Sequence, residues 1–97
     1  MKTLKDIKIV LKRYEPEIRS RYGVKKIGIF GSYARNQQRP KSDLDVLADI
    51  DKSVSLLGLV GIENYLSELL GVKVDLIPRE DIRPELKRRI LKEVIYI

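Results

Sequence analysis

The chain has 97 residues, 43% apolar and 35% charged, with 20 Lys and Arg against 14 Asp and Glu for a net charge of +6. That is enough apolar residue for one core, with residues 1–97 as a single domain, and too little chain to enclose a large private substrate pocket. Cys and His are both absent, which excludes disulfides, thiolate or imidazole metal sites and every His-dependent triad; a bound metal must be held by oxygen, as magnesium, manganese and calcium are.

Leu4, Ile7, Val10, Leu11, Tyr14 and Ile18 recur at spacings of three and four, predicting an amphipathic helix. Pro16 predicts a break near Tyr14-Glu15 and a short second helix, with Gly23 ending the unit. Lys25 to Gly31 reads as a strand closed by a glycine turn, and Asn36 to Ser42 as a polar loop. From Asp43 the chain alternates, with Leu44, Val46, Ala48 and Ile50 on one side and Asp43, Asp45, Leu47 and Asp49 on the other. That is a strand with one buried face. Leu56 to Leu70 predicts a helix stopped by Gly71, although Leu56 to Ile62 is more apolar than so small a helix needs. Val72 to Ile77 is a strand ended by Pro78; Pro84 opens a helix to about Lys92, and Val94 to Ile97 adds a strand. The expected fold is α/β (α+β), a small mixed sheet of about four strands with helices packed on one face. The longest uncharged stretch, Ser53 to Ile62, falls far short of the roughly 20 residues a bilayer span requires. No signal-peptide core opens the chain. A cytoplasmic protein with no membrane association is expected.

The polar side of the second strand carries the chemistry. Asp43 and Asp45, two residues apart, project from one face about 6.6–7 Å apart at the backbone. Carboxylates at that spacing can converge on one divalent ion or bridge two. Asp75 has the parity that would bring a third carboxylate to them if its strand is the neighbour. Three acids on one sheet face repel one another and raise their pKa values unless cations sit among them, and oxygen-held magnesium supplies that charge. An isolated Asp-x-Asp is more often a solvated strand end; Asp49 and Asp51 read as surface charges.

Upstream, Phe30-Gly31-Ser32-Tyr33-Ala34-Arg35 leaves a strand directly. Glycine lets the backbone approach a ligand, and serine offers a hydroxyl and an amide at a helix start, where phosphate oxygens bind. Arg35, three residues on, either reaches a triphosphate or caps the surface.

Taken together, Ile29 to Arg35, Ser42 to Leu47 and Lys73 to Leu76 resemble the nucleotidyltransferase superfamily of DNA polymerase β. Within it the chain is similar to the minimal nucleotidyltransferases, the MntA-type antitoxins that pair with HEPN-domain toxins. The likeness covers nearly the whole chain. One departure is Asn36, where the family usually has glycine; asparagine tolerates left-handed backbone angles, so the turn is expected to survive.

The resemblance implies that Asp43, Asp45 and Asp75 are catalytic and hold two magnesium ions, while Gly31, Ser32 and Arg35 bind the triphosphate of ATP. It implies a protein adenylyltransferase, moving AMP onto a hydroxyl, a tyrosine of the HEPN-type toxin encoded nearby, in a type VII toxin-antitoxin pair. A chain too small for an acceptor domain agrees with an acceptor brought by another protein. The alternative is an antitoxin that neutralises its partner by binding and occlusion, with the nucleotide site idle; three intact acids speak against it. Direct nucleic-acid binding is disfavoured, since the basic residues lack interleaved aromatic stacking partners. Leu56 to Ile62 and the basic Arg83, Lys87, Arg88, Arg89 and Lys92 are candidate partner contacts, against plainer readings as core and solvated helix face.

Overall fold

The computed structural model describes residues 2–97. Helix α1 (Leu4–Tyr22) leads into β1 (Val24–Phe30) and β2 (Leu44–Ile50); α2 (Leu56–Leu70), β3 (Val74–Pro78), a 3-10 turn (Arg79–Asp81), α3 (Pro84–Glu93) and β4 (Ile95–Tyr96) follow. The four strands form one mixed sheet in the order β3-β2-β1-β4. β1 runs antiparallel to both β2 and β4, and β2 runs parallel to β3.

Local chemistry accounts for most boundaries. Thr3 and Asp6 close a capping box at the start of α1, and Gly23, at φ 69°, ends it in the left-handed conformation. Ser55 accepts the amide of Gly58 to open α2, and Gly71, at φ 68°, ends it. The break expected at Pro16 does not occur, because α1 is continuous through it. Pro16 lies on the exposed side, so the carbonyl it leaves without a donor faces water, while buried Leu11 and Ile18 hold the helix on the core to either side.

Period two along the strands separates two apolar clusters. On one face Ile29, Leu44, Val46, Ala48 and Val74 pack with Ile7, Leu11 and Ile18 of α1 and Ile62, Leu66 and Leu70 of α2. On the other, Phe30 and Leu47 pack with Ile82 and with Ile90 of α3. The fold class is as expected, but α3 lies on the face opposite α1 and α2. Leu47, of the same parity as the aspartates, is therefore buried too. The parallel β2-α2-β3 crossover leaves β3 as an edge, and α2 covers it. Ser67 Oγ accepts the amide of Val74 at 3.0 Å and Glu63 accepts that of Leu76 at 2.8 Å, so two outward donors are satisfied where another strand would otherwise pair. The apolar start of α2 is only half core: Ile62 is buried, while Leu56 and Leu57 are 78% and 84% exposed.

Candidate active site

Strand register sets two of the acids side by side. Asp45 is opposite Phe30 of β1 on one side and in register with Asp75 of β3 on the other. Neighbouring strands lie about 4.8 Å apart, so Asp45 and Asp75 stand side by side on the face that α3 only partly covers. Asp43 is exposed, one residue before β2 begins, and Asp75 is exposed as well, whereas Asp45 is half-buried. The adjacency that would bring in a third carboxylate is present, and Asp49 lies further along the strand, exposed.

The Gly31 turn roofs this cluster. Gly31 takes φ 75°, and a Cβ built there would collide with Asp45 Oδ2. Both facts demand glycine: the backbone angle disfavours any L side chain, and the carboxylate occupies the space a methyl would need. Residues 31–36 form overlapping turns, with Arg35 N–H donating to Gly31 O at 3.1 Å and Gln37 N–H to Ser32 O at 2.8 Å. The helix expected from Ser32 is not built. Asn36, at φ 57°, turns the chain out in the left-handed conformation, and the polar residues beyond it offer no apolar face to bury. Asparagine thus does what glycine would do there, as expected.

Glu93, the last residue of α3, completes the arrangement and carried no motif. Its Oε2 accepts the Gly31 amide at 2.7 Å and its Oε1 accepts Arg35 Nη1 at 2.6 Å, while Arg35 Nε donates to Gln37 at 3.1 Å. The single N–H of Gly31 is therefore engaged within the protein. The sequence offers only its position, an acid in the last turn of a helix, which opposes the helix dipole and names no partner.

Electrostatics single out Asp45. Partial burial pushes its carboxyl up to about 6; Asp75 and Asp43 add repulsion, and Arg35 offsets only part of it. Glu93 moves the other way. Burial raises it, but hydrogen bonds from Arg35 and the Gly31 amide outweigh burial and hold it below the usual carboxylate range.

Among the described residues, no three acids are gathered closely enough to cage a metal ion by themselves. Magnesium seldom asks for such a cage, since it is usually held by one or two carboxylates together with substrate phosphates and water. Two in-register carboxylates, a third at the strand mouth and a net excess of negative charge at Asp45 fit that mode. A cavity of about 270 Å³ beneath α1, lined by apolar residues such as Leu11, Ile18 and Ile27 and by the charged Glu15, Arg19, Lys25 and Lys26, lies away from Asp43, Asp45 and Asp75.

Comparison with known proteins places the chain among relatives of this fold. The family model described as a nucleotidyltransferase domain matches residues 11–97. The Methanocaldococcus jannaschii protein MJ0126, which bears a provisional protein adenylyltransferase name, is 50% identical over the whole of both chains. Protein adenylyltransferase MntA of Thermococcus cleftensis is 39% identical across 100% of this chain and 98% of that one. A solved structure provisionally described as a minimal nucleotidyltransferase superposes with a TM-score of 0.75 at 33% identity, covering 93% and 94% of the two chains. A toxin-antitoxin structure with AMP-PNP shares the fold at a TM-score of 0.68 and 20% identity, covering 95% of this chain and 69% of that one.

Proposed function

The chain belongs to the nucleotidyltransferase domain family, in its minimal form, and from that premise we propose that it is the adenylyltransferase antitoxin of a HEPN-type toxin, moving AMP from ATP onto a tyrosine hydroxyl of that toxin. The observation that carries this reading is the register of Asp45 with Asp75 beneath the Gly31 turn. It sets adjacent carboxylates beside the turn that carries Ser32 and Arg35.

Asp43, Asp45 and Asp75 would hold magnesium, which supplies positive charge to acidify the acceptor hydroxyl and neutralise the departing pyrophosphate. Asp75, exposed at the edge strand, accepts the proton of the acceptor hydroxyl. The acceptor oxygen bonds to the α-phosphorus, the bond from that phosphorus to the bridging oxygen breaks, and pyrophosphate carries away the electron pair. Ser32, through its amide and hydroxyl, and Arg35, through guanidinium donors not used by Glu93 and Gln37, hold the β- and γ-phosphates. Gly31 serves through the shape of its turn, its amide being taken by Glu93. No histidine is needed for any of this.

The named relatives support the reading: one is called protein adenylyltransferase MntA, and the fold recurs in MntA-HepT toxin-antitoxin complexes. An acceptor delivered by a partner suits an open carboxylate shelf. The exposed Leu56, Leu57 and Val60 of α2 and the exposed basic residues Lys87, Arg88, Arg89 and Lys92 of α3 are the surfaces on which a partner would sit.

The test is incubation with α-labelled ATP and magnesium, with and without the HEPN-type protein encoded beside this chain. Label is expected on a tyrosine of the partner and is expected to vanish with Asp43→Asn or Asp45→Asn while the complex still forms. A stable complex with no label on the partner would instead mark an occluding antitoxin.

A further inference from the structure

Glu93 and Gly31 lie 62 residues apart in the chain, yet one carboxylate holds both the amide of the phosphate turn and the cation beside it. Its backbone is fixed on both sides. Ile90, one turn earlier, is buried against Phe30 and Leu47, and immediately afterwards Ile95 and Tyr96 pair with Ile29 and Gly28. The Glu93 side chain is only 16% exposed, while the Arg35 side chain it holds is open to solvent over 45% of its surface. Arg35 uses two of its five guanidinium N–H groups on Gln37 and Glu93, which fixes the plane of the rest. The turn that Glu93 holds at Gly31 is the one packed against Asp45 Oδ2. A shift of that turn would move the serine, the arginine and the roof over the carboxylate together.

We propose that Glu93 is the positioning residue of the nucleotide site, fixing the Gly31–Ser32 turn over Asp45 with one carboxylate oxygen and orienting Arg35 with the other. This rests on the nucleotide reading above. Glu93 does not touch the substrate; it acts through Gly31 and Arg35. The site is thereby joined to the C-terminal α3-β4 segment, and the last helix and strand have a part in phosphate binding that their sequence does not announce.

The two contacts can be separated chemically. Glu93→Gln keeps an oxygen to accept the Gly31 amide but loses the charge that holds Arg35, whereas Glu93→Ala loses both. The measurements are MgATP affinity by calorimetry, thermal stability, and the amide resonance of Gly31 with the Nε resonance of Arg35. Glu93→Ala is expected to weaken MgATP binding about tenfold or more and to shift both resonances. Glu93→Gln is expected to weaken binding less and to leave the Gly31 resonance nearest its wild-type position. Combining Glu93→Ala with Arg35→Ala should weaken binding by less than the product of the single effects. Unchanged or tighter MgATP binding in folded Glu93→Ala would overturn the proposal alone. Wild-type protein that binds no MgATP would overturn the nucleotide reading and this proposal together. Wild-type binding without transfer would count only against the transferase reading, and Glu93 would still be judged on affinity and resonances. If Glu93→Ala does not fold, equal affinity of Glu93→Gln and wild type, with the Arg35 resonance unmoved, is the overturning result.

Discussion

The same strands serve two faces built on opposite terms. Under α1 and α2 the sheet packs Ile29, Leu44, Val46, Ala48 and Val74 into the core, closed over by Ile7, Leu11, Ile62 and Leu66. Under α3 the apolar patch is small, Phe30 and Leu47 with Ile82 and Ile90, and the sheet beyond it is given to Asp45 and Asp75. No polar or charged residue is fully buried among those described; Asp45 is half-buried with like charges around it. One face supplies cohesion, and the other keeps unrelieved charge that a cation would neutralise. A domain this small can hold such a site because the two requirements fall on alternate residues of the same strands.

Three substitutions test that division, taken from the largest expected effect on stability to the smallest. Leu66→Ala opens a cavity in the closed face and is expected to cost about 3 kcal/mol, a fall in Tm of roughly 12–24 °C for a domain of this size. MgATP affinity of the protein still folded should not change, and a parallel loss measured by calorimetry would break the separation of the faces. Gly31→Ala acts on the open face. The left-handed angle and the crowding against Asp45 should cost about 1–2 kcal/mol. The displaced turn should reduce transfer more than that loss of stability explains, which a labelled-AMP assay well below the unfolding temperature would measure.

Asp45→Asn is expected to stabilise the metal-free protein at pH 7.5. Asp45 titrates at about 6 in the folded state against about 3.9 in an unfolded chain. The folded state therefore holds the extra proton between those values, and stability falls as pH rises through that window. Thermal melts without divalent ions should show the variant above wild type at pH 7.5, with the gap closing toward pH 4. Magnesium should raise the Tm of wild type at pH 7.5 and not that of Asp45→Asn. A variant less stable than wild type at both pH values would show that Asp45 supports the fold rather than straining it.

Much of the candidate site's layout was legible because it is written in short-range pattern. Alternation from Leu44 to Ile50 separated the carboxylates from the core, and glycines at 23, 31 and 71 marked turns whose left-handed angles require them. What misled was local reasoning where tertiary packing prevailed. Pro16 has the chemistry of a helix breaker, but α1 is pinned at Leu11 and Ile18. Ser32 resembles a helix start, yet the segment ends in a turn at Asn36. Glu93 was missed because its partners lie far away in sequence, and nothing in Leu91-Lys92-Glu93 states which face of the sheet the helix will meet.

By itself, then, the sequence determined the α/β class, the oxygen-only donor set, the placing of Asp43 and Asp45 on one side of a strand and the turn at Gly31, because period-two alternation and glycine conformation are properties of a few adjacent residues. Tertiary structure decided that β3 lies beside β2 in parallel, that α3 crosses to the carboxylate face, and that Glu93 closes on Gly31 and Arg35. Those outcomes depend on which apolar surfaces meet once the chain collapses, and that is settled by the burial of the whole core rather than by any one segment.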